Sequence, residues 1–193
     1  MTLKSLLPRP WLTLIFVALI LVTRTNSNSA IIDPPDATLG VFFLAGLWAC
    51  GSLSFGLLFG ACVAADFISF ALGVSDWCFT PAYVFLVPTY ACLWYTGHFS
   101  RKLEISKVSG LAKLAAWLMV GCIGAYFISS QSFLMFSGRY PATLSTVEYW
   151  SKIFPHFPRY IEWAYAYTAI GLGIAFAAKK FGRDIQTSNT RPT

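Results

Sequence analysis

The sequence predicts an all-α membrane protein, a six-helix transmembrane bundle with both termini on the cytoplasmic side. Three observations predict it. Only 11% of the residues are charged and 56% are hydrophobic, whereas soluble domains carry about a quarter charged residues. The apolar stretches are continuous rather than alternating, which selects helices over a β-barrel. The cations fall between those stretches and mostly on one side. The expected organisation is a single integral membrane domain over 1–193, since 193 residues leave no room for a soluble catalytic domain beside the bundle.

The first span covers about 8–23, around WLTLIFVALILVT. Lys4 and Arg9 in front and a small-residue stretch behind resemble a signal peptide. It is read as a span because the later segments complete a bundle with it. Residues 24–38 form a polar loop punctuated by Pro34 and Pro35. Two spans follow, 38–52 and 54–74, parted near Gly51 and Ser52. Ala45 and Ala49, then Gly56 and Gly60, recur at four-residue spacing, which lets helices approach closely, within the chain or against a partner.

Residues 75–79, SDWCF, make a short turn. Pro81 suits a first helical turn and opens a span over 80–99. HFSRKLEISK is a polar loop of cytoplasmic type. The fifth span is 109–131, with Lys113 able to snorkel. Residues 132–157 form a long external, lid-like connection, and the sixth span is 158–178.

With both termini inside, ten cations are cytoplasmic, among them Arg101, Lys102, Lys179 and Lys180. Only Arg24, Arg139, Lys152 and Arg159 are external. The net charge of +6 therefore reports topology in a lipid bilayer rather than a nucleic-acid patch. The turn 75–79 and the connection 132–157 face outward.

Asp66 lies inside the third span, roughly 12 Å below its outer end. An ionised acid facing lipid there is costly, so it must face a cavity or a partner group. It either pairs with a hydroxyl or a basic side chain or accepts hydrogen bonds from a polar ligand. No cation lies in the middle of another span, which favours the ligand.

Of five cysteines, Cys50, Cys62, Cys92 and Cys122 lie in apolar runs as small core residues. Cys78 sits in the outer turn between Trp77 and Phe79, with Tyr83 about one helical turn on. It has no outer-loop cysteine to pair with. It is either an inert thiol under the loop or a soft metal ligand and nucleophile. The outer connection supplies Arg139 and Tyr140 for amides or phosphate, with Phe133, Phe136 and Trp150 either covering an apolar ligand or forming an interfacial belt. His98 and His156 are expected on opposite sides of the membrane, too far apart for one metal site or dyad. No Walker loop, HExxH or Ser-His-Asp set occurs.

Six short helices, an outward pocket and no energy source of its own resemble the substrate-binding (S) component of an energy-coupling factor (ECF) transporter. Cys78 between Asp66 and Tyr83, with FISSQSFLMFSGRYP and VEYWSKIFPHFPRY downstream, is similar to the proteobacterial BtuM-type cobalamin transporters. The resemblance implies a multi-pass protein of the bacterial inner membrane that takes up cobalamin or related corrinoids. It implies that Cys78 is an axial ligand of the cobalt and assists loss of a cyanide ligand. It implies that Asp66, Trp77, Phe79, Tyr83, Arg139 and Tyr140 contact the corrinoid. An ECF coupling membrane subunit and two ATPases are the implied partners, with solitary action, as in some members of the family, as the alternative.

Two other readings keep parts of the pattern. An S component for another vitamin or a metal retains the fold and makes Cys78 dispensable. A cysteine-dependent membrane enzyme requires a base near the thiol, for which His156 is the candidate on the correct side.

Overall fold

The computed structural model describes residues 10–25, 35–48, 51–73, 77, 79–141 and 143–188, with side chains between 11 and 180. Among the described residues the chain is helical and contains no strand. The long elements are α1 (Pro10–Thr25), α2 (Thr38–Leu47), α3 (Ser52–Ala71), α4 (Leu86–Phe99), α5 (Val108–Phe136) and α7 (Phe157–Ser188). A short α6 (Thr146–Ile153) precedes α7.

The helices alternate in direction. The end of α1, the start of α2, the last third of α3 and the beginning of α4 meet at one end of the bundle through Arg24, Thr38, Asp66 and Tyr90. The last turn of α5 reaches the same end, where Phe136 stacks on Phe85 at 5.0 Å. Tyr167 of α7 donates to Pro35 O at 2.7 Å, which ties α7 to the entry of α2. At the opposite end Thr13 of α1 and Ser54 of α3 share a hydroxyl hydrogen bond of 2.9 Å, so those two helices run parallel.

Three segments are long and apolar enough to cross a membrane: Ser52–Ala71, Val108–Phe136 and Thr146–Lys180. Trp11–Thr25 and Thr38–Leu47 are shorter apolar helices. The outward faces of α1, α3, α5 and α7 carry Leu14, Phe67, Ile123 and Ile174, all more than half exposed apart from their neighbours in the bundle. So large an exposed apolar surface is unfavourable in water and suits lipid.

α2 is the axis of the core. At about 15 Å it is half the thickness of a hydrocarbon core, and nearly every one of its residues is buried. Phe42 stacks on Tyr90 at 4.6 Å and meets Phe55 edge-on. Its contact with α4 is backbone against backbone. A Cβ on Gly46 would lie 2.0 Å from Trp94 O, and one on Gly97 would lie 2.1 Å from Phe43 O. Only glycine permits that approach, so α2 can be enclosed without a gap.

Several boundaries differ from those predicted. α1 continues to Thr25, which brings Arg24 out of the expected loop and onto a helix. The second span is only ten residues long. The expected lid over 132–157 is mostly helical. α5 extends to Phe136, Gly138 turns the chain at φ 66°, and α6 follows. Ser145 caps α6 by accepting from Glu148 N at 3.2 Å, and Glu148 pairs with Lys152 at 2.8 Å. The S-T-V-E spacing is the half of a capping box that periodicity alone does not reveal. The small-residue pattern also divides. Ala45 is buried inside the bundle, whereas Gly56 and Gly60 face open space. Ala49 lies outside the described residues.

Gly46→Leu is therefore expected to lower the thermal stability of the purified protein by about 2 kcal/mol through overpacking. Gly60→Ala should leave it unchanged or slightly raised. Melting curves of the two variants in one detergent check the contrast.

Candidate functional site

α1 ends in a polar turn because Thr23, Arg24 and Thr25 follow its apolar run. Thr23 and Thr25 return their hydroxyls to Leu19 O at 2.9 Å and Leu21 O at 2.5 Å, which keeps this last turn helical. Arg24 is thereby aimed across the bundle at α3. Its Nε and Nη2 donate to the two carboxylate oxygens of Asp66, the second bond measuring 2.8 Å. This fork-to-fork pair is the strongest geometry a guanidinium and a carboxylate adopt.

The remaining Arg24 nitrogen, Nη1, reaches Asp36 Oδ2 at 3.1 Å, Tyr90 Oη at 3.2 Å and Thr38 Oγ1 at 3.3 Å. Asp36 also accepts from Thr38 N at 2.9 Å and from the Thr38 hydroxyl, which fixes the entry of α2. Tyr83, in the 3-10 turn Pro81–Phe85, donates its hydroxyl to Asp66 Oδ2 at 2.7 Å.

One cation and two carboxylates leave this cluster with a net charge of −1. Arg24 and Asp66 are each only 18% exposed, while Asp36 is 48% exposed. Asp66 is thus paired with a basic side chain and a hydroxyl, one of the two readings its position left open in the sequence. The cation sits at the end of a neighbouring span rather than in the middle of one, at the same depth as the acid. Arg24, Asp36, Thr38 and Tyr90 are the members that sequence reasoning missed. An acid within a span requires a counter-charge, and Arg24 directly follows an apolar run; that was the available signal.

Aromatic rings cover this cluster. Phe79 stacks on Tyr83 at 5.5 Å and packs against Phe67 and Phe70 at 5.2 and 5.7 Å. Two residues earlier, Trp77 meets Phe133 at 6.5 Å, and the Arg139 guanidinium lies 5.1 Å from the Trp77 ring centre. Phe133 contacts Tyr140 edge-on at 6.0 Å, and Tyr140 contacts Tyr149 at 5.1 Å. Tyr149 donates to Ser130 O at 3.0 Å and Trp150 to Gln131 Oε1 at 2.9 Å, which holds α6 against α5.

The structure therefore brings together two sets of the predicted residues. Asp66, Phe79 and Tyr83 form one, and Trp77, Arg139 and Tyr140 the other, joined through the short turn. Cys78 lies between them in sequence and outside the described residues, as does Cys50. Cys62, Cys92 and Cys122 are free thiols within helices. His98 ends α4 and His156 precedes α7, at opposite ends of the alternating helices. Among the described residues no group of three or more His, Cys, Asp or Glu side chains is arranged to hold a metal ion.

Chemically the cluster presents a clamped carboxylate, a half-exposed second carboxylate and a phenol at one end of an apolar bundle, under a roof of rings. That combination suits hydrogen-bond donors carried on a large, partly apolar molecule. No family model matches the chain, and no curated protein matches it.

Removing one half of a buried ion pair strands the other. Asp66→Asn and Arg24→Met should each lower stability by about 3 kcal/mol. Asp36→Asn, at the exposed edge, should cost less than about 1 kcal/mol. Chemical denaturation of the three variants in matched micelles tests this order.

Proposed function

We propose that the protein is a membrane-embedded receptor for the uptake of cobalamin or a related corrinoid, of the S-component type, acting in a bacterial inner membrane. One observation carries the reading. The acid, the phenol and the ring expected to contact the ligand are neighbours, with Tyr83 bonded to Asp66 at 2.7 Å and stacked on Phe79 at 5.5 Å. The turn carrying Trp77 and Phe79 also adjoins Phe133, Arg139 and Tyr140. A corrin ring bears amide side chains around an apolar macrocycle, and carboxylates, phenols and aromatic faces are the groups that complement it.

Cys78 supplies the thiolate in this reading. A thiolate is a soft ligand suited to cobalt. With a cyanide-bearing corrinoid, Sγ donates its electron pair to cobalt as cyanide leaves with its own, so the metal keeps its oxidation state. The S-component reading adds an ECF coupling subunit and ATPases as partners, because the chain shows no nucleotide-binding loop.

Protein purified in the presence of hydroxocobalamin should carry a visible corrinoid spectrum through gel filtration. Cys78→Ala should shift that spectrum or abolish the bound pigment. A colourless wild-type protein would reject the reading, and a spectrum indifferent to Cys78→Ala would remove the thiol from the cobalt.

A further inference from the structure

We propose that Tyr160 of α7 and Asp36 form a carboxamide-selective wall of the ligand site, an extension of the Arg24 and Asp66 cluster that rests on the receptor reading above. α2 and α7 run side by side in the same direction. A Cβ on Gly40 would lie 2.8 Å from Tyr167 Cβ and 3.2 Å from Ala164 O, and one on Gly171 would lie 2.6 Å from Leu44 Cδ1. The stripe of α7 that faces α2 therefore passes through Ala164 and Thr168, both buried. Tyr160 continues that stripe one turn earlier, about 6 Å further along. α2 begins only at Thr38, so at this level the stripe faces the entry of α2 rather than the helix. Tyr160 thus stands level with Asp36, which precedes Gly40 by four residues.

Tyr160 is held from one side, and its hydroxyl is unused. Its ring meets Tyr126 of α5 edge-on at 4.9 Å, and Tyr126 is itself anchored by donating to Ile153 O at 2.6 Å. Asp36 and Tyr90, both bonded to Arg24, and Cys122 are among its other ionisable neighbours. Among the described residues the Tyr160 hydroxyl has no hydrogen-bond partner. Thr80 and Thr168 carry sealed hydroxyls without a partner, and Tyr160 is not of that kind, so its Oη keeps accessible surface. A phenol so placed bonds to water or to a ligand.

The pair presents the two halves of one recognition pattern. The phenol donates. Asp36 Oδ2 accepts from Arg24 at 3.1 Å and, half-exposed, has a further lone pair to offer. A carboxamide supplies a carbonyl for the first and an N–H for the second. A carboxylate in the same place supplies no donor and meets a cluster of net charge −1, so the wall discriminates against it. Corrinoids carry amide side chains, and hydrolysis of one gives a carboxylate of nearly the same shape.

The purified protein is dialysed to equilibrium against hydroxocobalamin or its monocarboxylic isomers, each with one amide hydrolysed. At least one isomer should bind about tenfold more weakly than hydroxocobalamin, and Asp36→Asn should abolish that difference. Tyr160→Phe keeps the ring against Tyr126 and should weaken hydroxocobalamin binding about fivefold at an unchanged melting temperature. Wild-type affinity in Tyr160→Phe, or discrimination unchanged in Asp36→Asn, overturns the wall. So does a melting temperature that falls together with affinity in Tyr160→Phe, since Tyr160 would then serve packing. Binding of every isomer as tightly as hydroxocobalamin overturns the wall and leaves the receptor reading intact. A wild-type protein that binds none of these pigments removes that reading and the wall with it.

Discussion

The structure depends on one ion pair. Arg24 and Asp66 come from helices that run parallel and are otherwise joined mainly by apolar packing, with a hydroxyl pair at their far end and Ser69 donating to Arg24 O at 3.4 Å beside the ion pair. Apolar packing between helices in lipid carries little preference for register, because lipid tails are as apolar as the side chains they replace. A bidentate charge pair does fix register, since sliding either helix by one residue would strand a buried charge. Asp36, Thr38, Tyr83 and Tyr90 attach to the same two groups, so the entry of α2 and the entry to α4 are set by the same constraint.

The remainder of the packing follows from where α2 lies. It is too short to cross a bilayer unaided, yet it is the most enclosed helix. Its enclosure relies on Gly46 and Gly97, which let the backbones of α2 and α4 touch. The ion cluster fixes one end of α2, and glycine contacts fix its flank. Its remaining side is left to a furrow against α1 and α7. At the charged end the chain also collects Phe79, Tyr83 and the rings of the following segment.

In the proposed function, the polar cluster and its aromatic cover would serve both binding and stability through the same side chains. Arg24 donates to both oxygens of Asp66, and Tyr83 is held by Asp66. A ligand meeting this end of the bundle finds groups whose rotamers are already fixed, which limits the ordering cost of binding. The second carboxylate, Asp36, lies at the exposed edge of the cluster.

Much of this was legible in the sequence. Continuous apolar runs with few charges dictate helices in lipid, because backbone polar groups there must be satisfied within the segment. The helical character of the segments follows from that pattern, and the grouping of Asp66 with Tyr83 is what the family resemblance implied. The partner of Asp66 was not legible, because Arg24 is followed by residues that read as loop, and only the three-dimensional register of α1 against α3 brings it within reach. The helical content of 132–157 was hidden for a related reason. α6 is too short to declare itself by periodicity, and it is stabilised by Ser145 and by hydrogen bonds to α5. Composition and period thus determined the element type and its apolar surface, since those depend on each segment's own chemistry. Pairing, register and the outward turn of Gly56 and Gly60 were decided by tertiary structure, because they depend on which surfaces meet and not on any one segment.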